Sequence, residues 1–177
     1  MTDWSQVLER HGRVVWRAVR RLVNDDAEAA DCFQETFVAA LEYSRRHPVR
    51  NWSGLLKRLA TTTAIDCLRK RMRTLHATET GDTSEATDRA PPPPAIVEGH
   101  ELSARIRAEV AALPHHQAEV CCLRYLEGWS YDEIAVELNM TVNHVGVLLN
   151  RARDMLRHRL VELSPFAAGP NAPEVKS

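Results

Sequence analysis

Apolar residues recur every three or four positions along almost all of this 177-residue chain. Trp4, Val7 and Leu8 start the pattern, and Leu56 and Leu59 continue it in a later segment. This spacing places apolar side chains on one face of an α-helix, whereas a half-buried strand requires strict alternation. The chain has only seven glycines and few alternating β-branched runs. The sequence therefore predicts an all-α fold.

The helical pattern stops near residue 74 and resumes near residue 101. The segment between them is polar and acidic and then contains four consecutive prolines at 91–94, a composition typical of an extended linker. The chain is long enough for two small domains and too short for a large enzyme scaffold. We predict a first helical domain at 1–76, a flexible acidic and proline-rich linker at 77–100, a second helical domain at 101–163 and a disordered tail at 164–177.

Three helices are predicted in the first domain. Asp25 or Asp26 is placed to cap the second of them, and His47-Pro48 to end it. The outer face of this helix is acidic or polar beside Phe37 and Val38, which indicates either a docking site for a basic partner or an ordinary solvated face. The acidic and polar residues of this face are Asp31, Gln34, Glu35 and Glu42.

The third helix, which begins near Trp52, carries basic residues opposite its apolar stripe. Cations beside an aromatic ring are typical of a surface for single-stranded or melted DNA, where bases stack and phosphates need counter-charges. An ordinary solvated helix with a half-buried Trp is the alternative. The ridge consists of Arg58, Thr62, Asp66, Arg69 and Arg73, with Lys57, Lys70 and Arg71 nearby, and Arg45, Arg46 and Arg50 precede it.

Four helices are predicted in the second domain, and the last two form a helix-turn-helix. Ser130 and Glu133 make a capping box for the shorter helix, and Thr141 caps the longer one. Asn139 occupies the tight turn, where its tolerance of left-handed backbone suits the connection. The outward residues of the longer helix are Asn143, His144, Val147, Asn150, Arg151 and Asp154. The early ones are placed for a major groove, and Arg151 and Arg153 for phosphates. A plain helical hairpin is the alternative.

The charge of the chain is segregated. The formal net charge is only −1, which argues against the basic excess usual in a nucleic-acid binder. However, residues 1–76 carry 14 basic and 9 acidic side chains. Residues 77–100 have a net charge of −4 and residues 101–177 a net charge of −2. The near-zero net charge therefore excludes a protein that binds DNA strongly on its own. It does not exclude DNA binding as such, because the first domain is basic.

The positions of the four cysteines argue against a metal site. Cys32, Cys67, Cys121 and Cys122 lie within apolar helical patterns and are predicted to be reduced core thiols. A zinc site of His115, His116, Cys121 and Cys122 is disfavoured, because adjacent residues on a helix diverge by about 100°.

No apolar stretch approaches the ~18 residues of a membrane span, and no signal peptide begins the chain, so we expect a cytoplasmic protein. No Cys or His lies in a setting that activates a nucleophile, and we predict neither a catalytic residue nor a metal or cofactor.

Several motifs, in order, resemble bacterial sigma factors. Asp31 to Phe37 resembles the DxxQETF signature of region 2, and Trp52 to Arg71 resembles the stretch that follows it. Leu113-Pro114, Leu123 to Gly128, Ser130 to Ala135 and Arg151 to Arg153 resemble region 4. With only regions 2 and 4 and a linker, the chain resembles the extracytoplasmic-function (ECF) subgroup of the sigma-70 family.

The resemblance implies a mechanism without a catalytic residue. The implied partners are core RNA polymerase (its β′ clamp helices and β flap), promoter DNA and an anti-sigma factor. The polymerase-binding residues would be Asp31, Gln34, Glu35 and Phe37. The −10 element would be bound by Arg45, Arg46, Arg50, Trp52, Arg58, Thr62, Asp66, Arg69 and Lys70. The −35 element would be bound by Thr141, Asn143, His144, Val147, Asn150, Arg151 and Arg153.

Some positions depart from the family pattern. Thr62 stands where Asn is usual, and Gly146, Val147 and Leu148 stand where Lys, Ser and Arg are common, so the −35 preference of the family does not transfer. A glycine at 146 costs about 1 kcal/mol of helix propensity. The main alternative function is a polymerase-independent helix-turn-helix regulator, which would not need the acidic face of the second helix. We also expect the free protein to be held shut, by its own two domains or by an anti-sigma partner.

Overall fold

The computed structural model describes residues 2–78 and 94–162, and every regular element in those two ranges is an α-helix. The all-α prediction is therefore confirmed. In chain order the helices are α1 (Trp4–Leu22), α2 (Asp26–Arg46), α3 (Trp52–Thr78), α4 (Pro94–Ala112), α5 (His115–Tyr125), α6 (Tyr131–Glu137) and α7 (Val142–Glu162). Within the described ranges, no helix combines the length and hydropathy needed to cross a bilayer.

The first domain is a three-helix unit in which α3 packs against both α1 and α2. Asp25, rather than Asp26, caps α2: its side chain accepts a hydrogen bond from the Glu28 backbone N–H at 2.9 Å. The apolar faces meet in a core that includes fully buried Val15 and Leu56. The polar faces of α2 and α3 therefore remain outside the core of this domain.

The second domain contains the predicted helix-turn-helix, formed by α6 and α7. Ser130 and Glu133 make the predicted reciprocal capping box. Asn139 has a φ of +51°, the left-handed conformation predicted for the turn. The Thr141 hydroxyl accepts a hydrogen bond from the His144 backbone N–H at 3.2 Å. The core that joins these two helices to α5 is built from Val120, Leu123, Trp129, Ile134, Ala135, Val145, Leu148 and Leu149.

The first helix after the predicted linker begins earlier than the sequence pattern indicated. Helix α4 begins at Pro94, whereas we predicted an extended linker to residue 100. Proline is tolerated in the first turn of a helix because its missing N–H would have no partner there, so the last of the four prolines is compatible with a helix start. The rest of the predicted linker, residues 79–93, and the predicted tail lie outside the described residues.

The four cysteines are free thiols, and three of them, Cys32, Cys121 and Cys122, are buried, as predicted for core residues. Burial raises the pKa of all four thiols, most strongly for Cys122 and for Cys32, whose pKa is raised to about 12. A raised pKa keeps the thiol protonated at neutral pH, and the protonated form is a poor nucleophile.

We therefore expect slow alkylation of the folded protein. At pH 8, iodoacetamide should label Cys67, the partly exposed thiol, before Cys32, Cys121 and Cys122, which should react only when the protein unfolds. Mass spectrometry of peptides from native and urea-treated protein measures this order. Equal labelling of all four sites in the folded protein would contradict the buried placement.

Candidate nucleic-acid interface

The second domain covers part of the basic face of α3. The Nε atom of Arg58 lies 3.2 Å from Oε1 of Glu137, an ion pair without hydrogen-bond geometry at that nitrogen. The guanidinium of Arg58 also lies over the ring of Tyr43, 5.8 Å from its centroid. Burial raises the pKa of Glu137, while the positive charge of Arg58 opposes that shift. Arg58, predicted to bind DNA, therefore has an acidic partner within the chain.

Thr62 and Arg69, one and three turns further along α3, also contact the second domain. The hydroxyl of Thr62 lies 3.2 Å from Oε1 of Glu119. Arg69 donates from Nε to the Ala111 carbonyl at 3.0 Å and from Nη2 to the Leu113 carbonyl at 2.9 Å. These carbonyls belong to the end of α4 and the residue that follows it. Three residues predicted for the −10 element are thus engaged by a part of the protein distant in sequence.

A further contact was not predicted from the sequence. Nη1 of Arg21, on α1, lies 2.6 Å from Oε1 of Glu127 and also donates to the Leu126 carbonyl. The ammonium of Lys57 lies 4.0 Å from Oε2 of the same glutamate. The side chain of Glu127 is only 6% exposed. The segment from Leu123 to Trp129 carries two charged residues, Arg124 and Glu127, and its pattern does not show that the glutamate is buried.

Three side chains at the start of α5 place potential metal ligands close together. His115, His116 and Glu119 bring one ligand atom each within 4.8 Å of one another. However, Nη1 of Arg69 lies 3.2 Å from Nδ1 of His115, and a guanidinium at that distance repels a cation. Thr62 already contacts the Glu119 carboxylate. The cluster is therefore explained by the contact between the two domains.

The remaining residues predicted for the −10 element are exposed, apart from Trp52. Trp52 is half-buried and packs edge-on against Trp4, with ring centroids 5.3 Å apart. Asp66, which lies 3.3 Å from Nη1 of Arg69, is exposed. The others are all exposed: Arg45, Arg46, Arg50 and Lys70. The predicted set is thus divided between three residues of α3 that contact the second domain and six others, of which five are exposed.

The predicted polymerase-docking face of α2 is accessible. Asp31, Gln34 and Glu35 are exposed, whereas Phe37 is half-buried against Phe33 at a centroid distance of 5.0 Å. Asp31 and Glu35 also line a cavity of about 490 Å³ between α2 and α3, together with basic side chains of α3. The acidic groups of α2 therefore lie on an open surface.

The outward face of α7 is accessible as well. All seven residues predicted for the −35 element are exposed: Thr141, Asn143, His144, Val147, Asn150, Arg151 and Arg153. Arg153 donates to the side-chain oxygen of Asn150. Gly146 faces inward, because a Cβ added there would lie 3.7 Å from Cε2 of Tyr131. The glycine is therefore not required by packing, and it does not lie on the outward face.

This placement predicts that Gly146→Ala stabilises the protein. The added methyl meets Tyr131 at an ordinary contact distance, and alanine exceeds glycine in helix propensity by about 1 kcal/mol. We expect a rise of up to about 1 kcal/mol in the free energy of unfolding, measured by urea denaturation. A loss of stability would show that α7 needs glycine at this position for its packing against Tyr131.

Two family models match the chain: sigma-70 region 2 over residues 7–74 and sigma-70 region 4 over residues 103–156. The ECF RNA polymerase sigma factor SigW of Bacillus subtilis is 28% identical over 169 residues, which cover 90% of each chain. The ECF RNA polymerase sigma factor SigE of Mycolicibacterium smegmatis is 27% identical over 168 residues, covering 95% of this chain but only 65% of the relative.

Solved structures share the fold. CnrH, in complex with the cytosolic domain of CnrY, has a TM-score of 0.55 at 24% identity, covering 90% of this chain and 88% of CnrH. RpoE of Bartonella quintana, in complex with the anti-sigma factor NepR, has a TM-score of 0.51 at 19% identity, covering 90% and 98%. The two matching regions occur in the family order and together span more than half of the chain. The chain therefore belongs to the sigma-70 family of RNA polymerase sigma factors, and its relatives are of the ECF type.

Proposed function

We propose that this chain is an ECF sigma factor that binds core RNA polymerase and directs promoter-specific initiation of transcription. The observation that carries this proposal is the presence of sigma-70 regions 2 and 4 in order, with an accessible acidic face on α2 and an accessible recognition face on α7. Sigma factors are not enzymes, and none of the steps below requires bond chemistry from the protein.

The acidic face of α2 is the proposed contact with the polymerase. Asp31, Gln34 and Glu35 present carboxylates and an amide to solvent, and Phe37 supplies apolar area beside them. Exposed carboxylates on a rigid helix suit a basic partner surface, since charge complementarity steers association and fixes orientation. The β′ clamp helices of the polymerase are the proposed partner of this face, and the β flap that of the second domain.

Promoter opening is the proposed task of α3 and the loop before it. Flipping or unstacking a base costs a few kcal/mol, and contacts made only to the opened strand offset that cost. The arginines near Trp52 would neutralise phosphates, and the aromatic ring would stack a displaced base. The outward residues of α7 would read the −35 element in the major groove, in the manner of a recognition helix.

An anti-sigma factor is a proposed regulatory partner. RpoE of Bartonella quintana was solved with the anti-sigma factor NepR, and CnrH with the cytosolic domain of CnrY. A sigma factor works on polymerase and chromosomal DNA, so we place this protein in the cytoplasm.

The proposal is tested against the alternative, an independent helix-turn-helix regulator, by asking whether DNA binding needs polymerase. Genomic fragments would be footprinted with the chain alone, core polymerase alone and both together. We expect protected promoter segments only with both, because the second domain has a net negative charge and few phosphate contacts. Site-specific protection by the chain alone would favour the regulator.

A further inference from the structure

Three glutamates of the second domain lie on the basic and polar side chains of the first. Glu137 contacts Arg58, Glu119 contacts Thr62, and Glu127 contacts both Arg21 and Lys57. We call Glu119, Glu127 and Glu137 the acidic latch. Their partners lie on α1 and α3, more than fifty residues away in sequence, so the latch exists only when the domains are closed on each other.

The side chains of the three latch glutamates are largely buried where the two domains meet. The side chains of Glu119 and Glu127 are each 6% exposed and that of Glu137 is 19% exposed. A carboxylate at such depth is costly unless it is paired. Within the second domain itself, His116 lies 3.5 Å from Glu119, whereas the cations that face Glu127 and Glu137 come from the first domain. Separating the domains would leave these two carboxylates without those partners and return them to water.

The carboxylates of the acidic latch resemble the DNA phosphates that are proposed to bind α3. Carboxylate and phosphate oxygens are both anionic acceptors, and arginine pairs with either one. The hydroxyl of Thr62 donates equally well to either oxygen. Arg69 is held in turn by the Ala111 and Leu113 carbonyls. A phosphate chain cannot occupy this part of α3 while the second domain does.

Apolar packing accompanies the ionic contacts. One core cluster runs without a break from Leu56 and Ile65 on α3 to Val110 and Leu113 of the second domain. The backbone also comes close: a Cβ added at Gly54 would lie 3.1 Å from Oε2 of Glu137. The closure therefore has a built interface, with the charges at its edge.

The contact between the two domains covers part of α3 but leaves two other proposed binding surfaces exposed. Arg58, Thr62 and Arg69 are engaged by the second domain, while the outward residues of α7 and the acidic face of α2 stay exposed. The part of the melted-DNA surface formed by Arg58, Thr62 and Arg69 is covered, whereas the surfaces proposed for duplex DNA and polymerase are not. Polymerase is therefore able to dock on α2 before the domains separate.

We propose that the acidic latch is an internal substitute for DNA phosphates, which keeps the free protein closed and the Arg58, Thr62 and Arg69 part of its melted-strand surface masked until the domains are separated on polymerase. The proposal rests on the function proposed above for α3. It adds that the second domain inhibits the first through three carboxylates whose positions, rather than their total charge, matter.

The test uses the full chain without polymerase. In the triple variant Glu119→Gln, Glu127→Gln, Glu137→Gln, each carboxylate is replaced by a neutral group of nearly the same shape. Small-angle scattering measures the maximum dimension, and fluorescence anisotropy measures binding of a fluorescein-labelled single-stranded oligodeoxynucleotide. We expect an expanded molecule and about ten-fold tighter binding, the gain that follows if roughly one parent molecule in ten is open.

A matched control separates position from net charge. The triple variant Glu101→Gln, Asp132→Asn, Asp154→Asn removes the same charge from three exposed residues of the second domain. It should stay as compact as the parent and bind the oligonucleotide as weakly. The proposal is overturned if the latch variant is as compact and weak as the parent, if it expands without binding more tightly, or if the control gains the same affinity.

A charge exchange tests the latch even if the triple variant does not fold, which circular dichroism would show. Arg58→Glu faces Glu137 with a like charge and should expand the molecule in scattering. Arg58→Glu combined with Glu137→Arg restores an ion pair and should restore compactness. A double variant as expanded as the single one would contradict the role of this contact.

Different experimental results would refute the acidic latch and the proposed sigma-factor function. With core polymerase, the latch triple variant should still initiate transcription, because its three carboxylates contact neither the docking face of α2 nor the outward face of α7. A parent protein that never initiates would refute the sigma-factor function, whereas the scattering and oligonucleotide results, obtained without polymerase, decide the latch.

Discussion

Glu35→Arg is expected to abolish binding to core RNA polymerase while leaving the fold intact. Glu35 is exposed on α2 and is not among the residues that form the core, so its replacement should not destabilise the helix bundle. Removing one partner of a charge pair at an interface costs about 2–5 kcal/mol, and an arginine at this position adds repulsion from a basic surface. Co-elution of the variant with core polymerase in gel filtration measures the loss.

The matched control is Glu9→Arg, the same change at an exposed position of α1, which should bind as the parent does. Equal binding by Glu35→Arg and the parent would contradict the docking role of α2. Circular dichroism of both variants distinguishes a lost contact from a lost fold.

The second large effect is expected at the recognition helix. Asn143→Ala combined with His144→Ala removes two exposed side chains near the start of α7, while the backbone N–H of His144 keeps its hydrogen bond to Thr141. A good base contact contributes about 1–3 kcal/mol. We therefore expect at least about ten-fold less transcription from promoters that depend on the −35 element, with core binding unchanged.

Asp154→Ala, on the same helix and equally exposed, should leave that transcription near the parent level. Run-off assays on one template with and without its −35 element measure the difference. A double variant that initiates as well as the parent on the intact template would show that α7 does not read this element.

Local structure was predictable from the sequence because it depends on neighbouring residues. Ser130 and Glu133 are three residues apart and cap each other, and Asn139 adopts the backbone conformation that its side chain tolerates. The periodicity of apolar residues likewise placed α1, α2 and α3. In each case the free-energy contributions act within one or two helical turns.

The placement of one domain on the other was not predictable in the same way. Arg58 and Glu137 are almost eighty residues apart, and no local pattern indicates that they pair. The basic face of α3 was predicted as a solvated ridge or a DNA surface, yet Arg58 and Arg69 are largely covered. The glutamates that pair with the first domain lie among other polar and charged residues, so the sequence does not show which carboxylates are buried.

The start of α4 was missed for a related reason. Four prolines indicate an extended chain, but a proline at the first position of a helix is allowed, and α4 begins at the last of them. Sequence patterns therefore give helix interiors more securely than the residue at which a helix begins.

The most direct test of the sigma-factor function is transcription in vitro from genomic fragments with purified core polymerase. We predict discrete start sites that appear only when the chain is added, share one pair of −35 and −10 elements, and disappear with Glu35→Arg but not with Glu9→Arg. Core polymerase that initiates no new transcript in the presence of the folded chain would contradict it.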